Sequence, residues 1–511
     1  MKAALVQDFL THSAQRKPEK TALVCDGLRL SYAELENRTN QLANALIASG
    51  LKRGDRVALF LPNILEQVVA IFAILKAGAV FVVINHSTKE DKLVYILQNS
   101  GSKTMVTWTP QVEMLKRIIP LLPNLELALV AGGNSTQVTH PKIQSFDVFV
   151  AQAPVYTPPR VNIDLDLACL IYTSGSTGDP KGVMSDHSNV AFAVRSITTY
   201  LQNVENDIIL NALPLSFDYG LYQLLMSVYF GGTMVLEKGF VYPAMIIKKI
   251  EEERITGFPG VPTMYSVLLN MDITGVDLSS LRYMTNTAAA LSQWHIDKIS
   301  EHFPGVRFYS MYGLTETKRT LYLPPEDLKR KPDSVGIPIP GTEAWIEDSN
   351  GNRLGPNQAG ELVIRGRHVM RGYWQNPAAT AERYRPGPYP GERLCYSGDL
   401  FKQDEEGYFY FIARRDDIIK SRGEKVAPKE VENALYKLSG VQEAAVIGVP
   451  DAILGEAVKA FVVLTGVTYT ENEILRHCRQ NLEDFMVPKM VEIRSELPKT
   501  SSGKIKKTDL S

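Results

Sequence analysis

Ile171-Tyr172-Thr173-Ser174-Gly175-Ser176-Thr177-Gly178-Asp179-Pro180-Lys181-Gly182 follows an apolar, strand-like run from Leu167 to Ile171. Thr173, Ser174, Ser176 and Thr177 bring hydroxyls, Gly175, Gly178 and Gly182 bring backbone freedom, and Lys181 brings charge. Glycines let a backbone curl until several N–H groups face one anion, and hydroxyls and a lysine add donors. That is the chemistry of a phosphate-holding loop. A Walker A loop is excluded, because its Lys is followed by Ser or Thr and Lys181 precedes Gly182. The plain alternative is a flexible Ser/Gly surface loop.

Outward from the loop, helical and strand patterns alternate through most of the chain before Ala413. Tyr32 to Ser49 reads as a helix, with Ser31 as N-cap and Glu34 three residues on completing a capping box. Arg56 to Leu61 reads as a strand, Ile64 to Lys76 as a helix and Ala79 to Ile84 as a buried strand. Such alternation predicts an α/β fold of parallel sheets covered by helices. Pro123 to Pro159 is less regular. Near Ala413 a charged run, Arg414 to Gly423, precedes a compact α+β pattern: helix Lys429 to Leu438, strands Glu443 to Gly448 and Val458 to Leu464, helix Glu471 to Asn481. The expected division is a core domain of residues 1–414 and a small C-terminal domain of residues 415–511.

Composition bounds the function. The 511 residues are 45% hydrophobic and 22% charged with a net charge of −1, so no global field draws the chain to nucleic acid or to a membrane surface. The apolar stretch Val68 to Ile84 is interrupted by Lys76 and Gly78 and is too short to span a bilayer. Cys25, Cys169, Cys395 and Cys478 are scattered without metal spacing, which suits reduced thiols in a cytoplasmic protein.

Four further segments carry chemistry. Tyr312-Gly313-Leu314-Thr315-Glu316 sets an aromatic face, a hydroxyl and a carboxylate in succession, which suits base stacking beside a Mg²⁺ ligand. Tyr396-Ser397-Gly398-Asp399 offers a carboxylate after a tight turn, able to accept from both ribose hydroxyls. Arg414 could reach the same ribose, and Lys504 stands in the basic tail Pro498 to Lys507. Each alone has a bland reading: a turn, a linker, a solvated tail.

Taken in order, TSGSTGDPKG, YGLTE, GELVIRGRHVMRGYW, YSGD, ARRDD and PKTSSGK resemble the adenylate-forming superfamily of acyl-CoA synthetases, luciferases and nonribosomal peptide adenylation domains. The resemblance spans essentially the whole chain. It implies a large N-terminal domain with a small β-barrel-like subdomain and a mobile C-terminal domain, with ATP and Mg²⁺ as cofactors. It implies that Thr173, Ser174, Gly175, Ser176, Thr177, Gly178 and Lys181 handle the β- and γ-phosphates. Tyr312 would stack on adenine, Thr315 contact the α-phosphate, Glu316 bind Mg²⁺, and Asp399 and Arg414 hold the ribose. Lys504 would be the catalytic cation of adenylation, and Asp416 the hinge. Ala413 stands where the family usually has Gly.

Phe217-Asp218-Tyr219 is the substrate clue. In amino-acid-activating members an Asp here pairs with the substrate ammonium, whereas a helix N-cap explains the same residue. Alignment of motifs adds Tyr222, Pro259, Met284, Asn286, Met311, Arg319 and Thr320 to a small, mostly apolar pocket. Arg319 is odd there and is expected to turn toward Asp218 or Glu316. The strings resemble stand-alone prolyl adenylating enzymes such as that of anatoxin biosynthesis. The implied reaction is activation of a small amino acid, L-proline first, and transfer to a separate holo carrier protein. The alternatives are an acyl-CoA synthetase passing an organic acid to CoA, and a non-catalytic nucleotide-binding protein.

Overall fold

The computed structural model describes residues 4–132, 140–173, 179–287, 291, 293–421, 424–451, 455–500 and 503–510. Two large sheets form the N-terminal part. A seven-stranded sheet has Arg56–Leu61 and Val80–Asn85 at its centre, with Leu167–Thr173 parallel to Val80–Asn85 and Lys181–Asp186 antiparallel at the edge. A nine-stranded sheet runs parallel through Ile208–Asn211, Gly257–Gly260, Tyr283–Asn286 and Arg307–Tyr312, then turns antiparallel at Leu321–Leu323.

The helices form where the pattern predicts them. Tyr32–Ala48 begins with Ser31 accepting from the Glu34 N–H while Glu34 accepts in return. Leu65–Lys76 is buried along nearly its whole length, so its apolar run packs the core between the sheets. Burial of a Leu or Phe side chain is worth about 1.5–3 kcal/mol, which makes this continuous core the main source of cohesion. The four cysteines are free and buried. Among the described residues no helix is long and apolar enough to cross a membrane.

Two expectations change. Pro123–Pro159 is not irregular throughout: it holds strands Leu127–Ala131 and Ile143–Ser145 and helix Phe146–Ala151, each too short for a clear period. Nor is the sheet region before Ala413 uniformly parallel. Thr342–Glu347, Gly360–Gly366, Tyr384–Pro386, Arg393–Gln403 and Phe409–Arg414 form a separate five-stranded antiparallel sheet, the form taken by the barrel-like subdomain.

The C-terminal α+β domain is a five-stranded sheet built on the long hairpin Val441–Asp451 and Gly455–Leu464, covered by Pro428–Tyr436 and Glu471–Asn481. It sits on the N-terminal part. Tyr436 meets His295 edge to face with ring centroids 5.5 Å apart.

Candidate active site

The phosphate-loop strands form a hairpin in which Thr173 faces Lys181 across the ladder. Ser174, Gly175, Ser176, Thr177 and Gly178 lie outside the described residues. At the hairpin's foot the Lys181 ammonium lies 5.5 Å from the ring centroid of Tyr373. The Trp374 N–H donates to the Gly182 carbonyl at 2.7 Å, which ties the hairpin to the RGYW segment.

Tyr373 links that cation to a carboxylate. Its hydroxyl donates to Glu316 Oε1 at 2.6 Å, and Glu316 is buried. The other Glu316 oxygen meets no protein donor among the described residues. A hard cation fits there, since an acidic oxygen left open at a buried site suits Mg²⁺. Burial pulls the Arg383 pKa down, but Glu316 leads the nearby groups that outweigh it, so the net direction is up.

The loop carrying Glu316 is a forced turn. Tyr312 faces Leu321 across the antiparallel ladder, and the Thr320 N–H closes on the Tyr312 carbonyl at 2.9 Å. A Cβ on Gly313 would lie 1.7 Å from the Lys318 carbonyl oxygen, so only glycine admits the returning chain. Lys318 itself is left-handed, with φ 59°. The turn leaves Thr315 half-buried near its tip and buries Thr317 to Thr320.

At its other end the turn meets the YSGD strand. Tyr312 packs edge-on against Phe401 and donates its hydroxyl to Asp399 Oδ2 at 2.6 Å. Arg414 faces Asp399 across the ladder, its Nε 3.9 Å from Oδ1. Burial raises the Asp399 pKa, against the pull of Arg414 and Tyr312.

Lys504 arrives from the C-terminal domain. Gly503 packs on the N-terminal part so closely that a Cβ there would meet Thr263 and Val261 at 3.0 Å. Burial lowers the Lys504 pKa and Arg414 adds to that effect, while Asp218, Asp399 and Glu316 oppose it. Lys504 makes no salt bridge among the described residues. Asp416 lies in the single turn Arg415–Asp417 between the domains, and its side chain is outside the described residues.

On the acyl side, helix Asp218–Phe230 begins where Pro214 and Leu213 carbonyls press on Gly220; a Cβ there would lie 2.4 Å from the Pro214 oxygen. Phe217, not Asp218, takes the N-cap position, and no side chain caps the helix. Capping therefore does not account for Asp218, which is buried in the first turn. Tyr219 donates toward Thr285, and Tyr222 is buried with its hydroxyl unpartnered. Pro259, Met284, Asn286 and Met311 are buried on three adjoining strands.

Two residues correct the expected pocket. Lys318, which sequence reading passed over, is 1% exposed with its ammonium 5.8 Å from the Tyr222 ring and no hydrogen-bond partner among the described residues. Burial lowers its pKa, and Asp218 is the foremost charge acting the other way. Arg319 does not turn to Asp218 or Glu316. It forms no ion pair among the described residues, lying instead with Cζ 4.5 Å over the Tyr219 ring. Tyr373 and Arg383 were also missed. Tyr373 falls within a recognised motif, but its bond to Glu316 joins positions 57 residues apart.

Comparison with known proteins agrees with this geometry. Residues 10–374 match the family described as AMP-binding enzyme, and residues 430–504 its C-terminal domain. The chain is 33% identical to a long-chain-fatty-acid–CoA ligase of Bacillus subtilis, over 98% of this chain and 93% of that one. Among solved structures it resembles an anthranilate CoA ligase bound to anthranoyl-AMP, with TM-score 0.91, 28% identity and coverage of 100% and 97%. It also resembles an O-succinylbenzoate CoA synthetase of Bacillus subtilis with ATP and magnesium, with TM-score 0.84, 28% identity and 98% coverage of each chain. Members of this family use ATP with Mg²⁺. The chain belongs to the AMP-binding enzyme family and is an AMP-forming ligase of the adenylate-forming superfamily.

Proposed function

We propose that the protein is an acyl-CoA synthetase: it activates an organic acid as acyl-AMP and passes the acyl group to the thiol of CoA. What supports this is the close packing of Gly503, beside Lys504, on Val261 and Thr263 of the N-terminal part, together with the likeness to CoA ligases. The substrate carboxylate attacks the α-phosphorus of ATP, a P–O bond forms, and the bond to pyrophosphate breaks. The CoA thiol, losing its proton, then attacks the acyl carbonyl and AMP leaves. Two anions must meet in the first step, so positive charge is placed there by Lys504 and Lys181.

The remaining roles follow from position. Tyr312, Asp399 and Arg414 hold the nucleoside, and Thr173 with Lys181 and the loop between them holds the outer phosphates. Thr315 contacts the α-phosphate. Glu316, positioned by Tyr373, would hold Mg²⁺, which supplies charge neutralisation of the phosphates. Phe217, Asp218, Tyr219, Tyr222, Met284, Asn286 and Met311 line the acyl side. The second half-reaction needs a different face of the C-terminal domain, so Asp416 serves as the hinge.

An amino-acid substrate, proline included, is disfavoured. Lys318 lies against Tyr222 and Arg319 against Tyr219 on the helix that Asp218 begins, so a substrate ammonium would enter beside two basic side chains. The relatives described above act on organic acids and CoA. The test is product analysis with benzoate, octanoate, adipate and L-proline, each offered CoA or a holo carrier protein. An acyl-CoA from one of the organic acids is expected. Prolyl thioester on the carrier, with no acyl-CoA from any acid, would overturn the reading.

A further inference from the structure

Arg319 is 2% exposed, and its Nε and Nη2 have no hydrogen-bond partner among the described residues. Those two nitrogens form one edge of the guanidinium, the edge that grips a carboxylate with two parallel bonds. The chain uses that edge elsewhere. Arg53 holds Asp166 through Nε at 2.9 Å and Nη2 at 2.8 Å, and Arg282 holds Asp207 through Nε at 3.2 Å and Nη2 at 2.6 Å. In Arg319 the same edge is open, in the interior, where an unpaired charge is costly.

The position gives the open edge a use. Asp218 is the first residue of the helix Asp218–Phe230 and is buried. Lys318 lies against Tyr222 and Arg319 against Tyr219, both on the first turns of the helix that Asp218 begins. Arg319 is also among the charges acting on Tyr222. Two buried cations thus gather at the start of one helix, and among the described residues Nε and Nη2 of Arg319 meet no carboxylate of the chain. An anion from outside the protein would pair that open edge.

We propose that the acyl substrate is a dicarboxylic acid whose second carboxylate is bound by Nε and Nη2 of Arg319. This rests on the acid-activating reading above. Arg319 is then a specificity-determining residue, and its neighbour Lys318 adds to the attraction. A methyl-ended acid leaves the guanidinium buried and unpaired. Sites built to bond a polar group discriminate strongly against analogues that lack it.

Acid-dependent ATP–pyrophosphate exchange tests this. The probes are matched pairs: α,ω-dicarboxylic acids of four to ten carbons and benzenedicarboxylates, each against the same skeleton ending in methyl. In the wild type, kcat/KM is expected to favour the best dicarboxylate over its methyl-ended partner by roughly 100-fold. In Arg319→Met that ratio should fall to about one, while Arg319→Lys keeps an intermediate preference. Wild-type preference for the methyl-ended partner overturns the inference without any variant. So does an Arg319→Met that folds and slows both members of each pair alike. Exchange with no acid at all would instead defeat the acid-activating reading.

Discussion

The nucleotide side and the acyl side of the site are finished to different degrees. On the nucleotide side two hydrogen bonds tie the site together, Tyr312 to Asp399 and Tyr373 to Glu316, while among the described residues the neighbouring Arg383 Nε and Tyr384 hydroxyl have no hydrogen-bond partner. On the acyl side the Lys318 ammonium, Nε and Nη2 of Arg319 and the Tyr222 hydroxyl are buried without a hydrogen-bond partner among the described residues. Buried polar groups are normally satisfied. In the proposed reading the acyl side keeps these donors for its substrate, whereas Asp399 and Glu316 are held by tyrosines before the nucleotide comes. The nucleotide half is therefore preorganised, and the acyl half is completed by its substrate.

Lys504→Ala should give the largest effect, because in the proposed mechanism it removes the cation that the C-terminal domain brings to adenylation. Adenylation should fall by roughly two or more orders of magnitude, as for loss of a transition-state stabiliser. Thioester formation from supplied acyl adenylate should persist, since Lys504 serves only the first step. Single-turnover rates of the two half-reactions check this, and an equal loss in both would break the two-state account.

Tyr373→Phe probes the nucleotide half. It removes the donor that fixes Glu316 and leaves the ring under Lys181 in place. A loss of about tenfold is expected, in keeping with the cost of one hydrogen bond to a charged group. It should appear as a higher Mg²⁺ concentration for half-maximal exchange, with the preference among acids unchanged. A changed acid preference would mean that the halves are not separate.

The smallest effect is on stability. His187 follows the phosphate-loop hairpin, accepts the Val6 N–H at 3.1 Å and meets Asn162 at 3.0 Å. Burial pushes its pKa down to about 4, with Asp166 and Asp8 opposing. An unfolded histidine titrates near 6.5. Above that value both states are neutral and the stability is fully present. Below it the unfolded state takes up the proton first, so stability is lost as pH falls from about 6.5 toward 4. His295 and His368 are lowered in the same way, so the difference between wild type and His187→Gln isolates one residue. Urea unfolding should show His187 contributing about 2 kcal/mol to the loss between pH 7.5 and 5. An identical pH slope in His187→Gln would refute this.

The sequence carried most of the fold and of the nucleotide half, and little of the acyl half. The Ser31–Glu34 capping box and the apolar run of Leu65–Lys76 are local signals, and local signals survive in one dimension. Tyr312, Glu316, Asp399 and Lys504 stood in motifs that announce them. Lys318 could be placed only by the returning turn, because its burial depends on Gly313 and a left-handed backbone. Arg319 was legible as an anomaly, but its stacking on Tyr219 joins residues a hundred positions apart. Asp218 looked like a cap or an amine ligand, and the structure withholds the first role by giving Phe217 the N-cap.

The account turns on activation preceding thiol transfer at one site, and pyrophosphate exchange without CoA tests that most directly. With ATP, Mg²⁺, labelled pyrophosphate and the preferred organic acid, exchange should proceed in the absence of any thiol and stop when the acid is withheld. Exchange that requires CoA, or none with any acid offered, would contradict it.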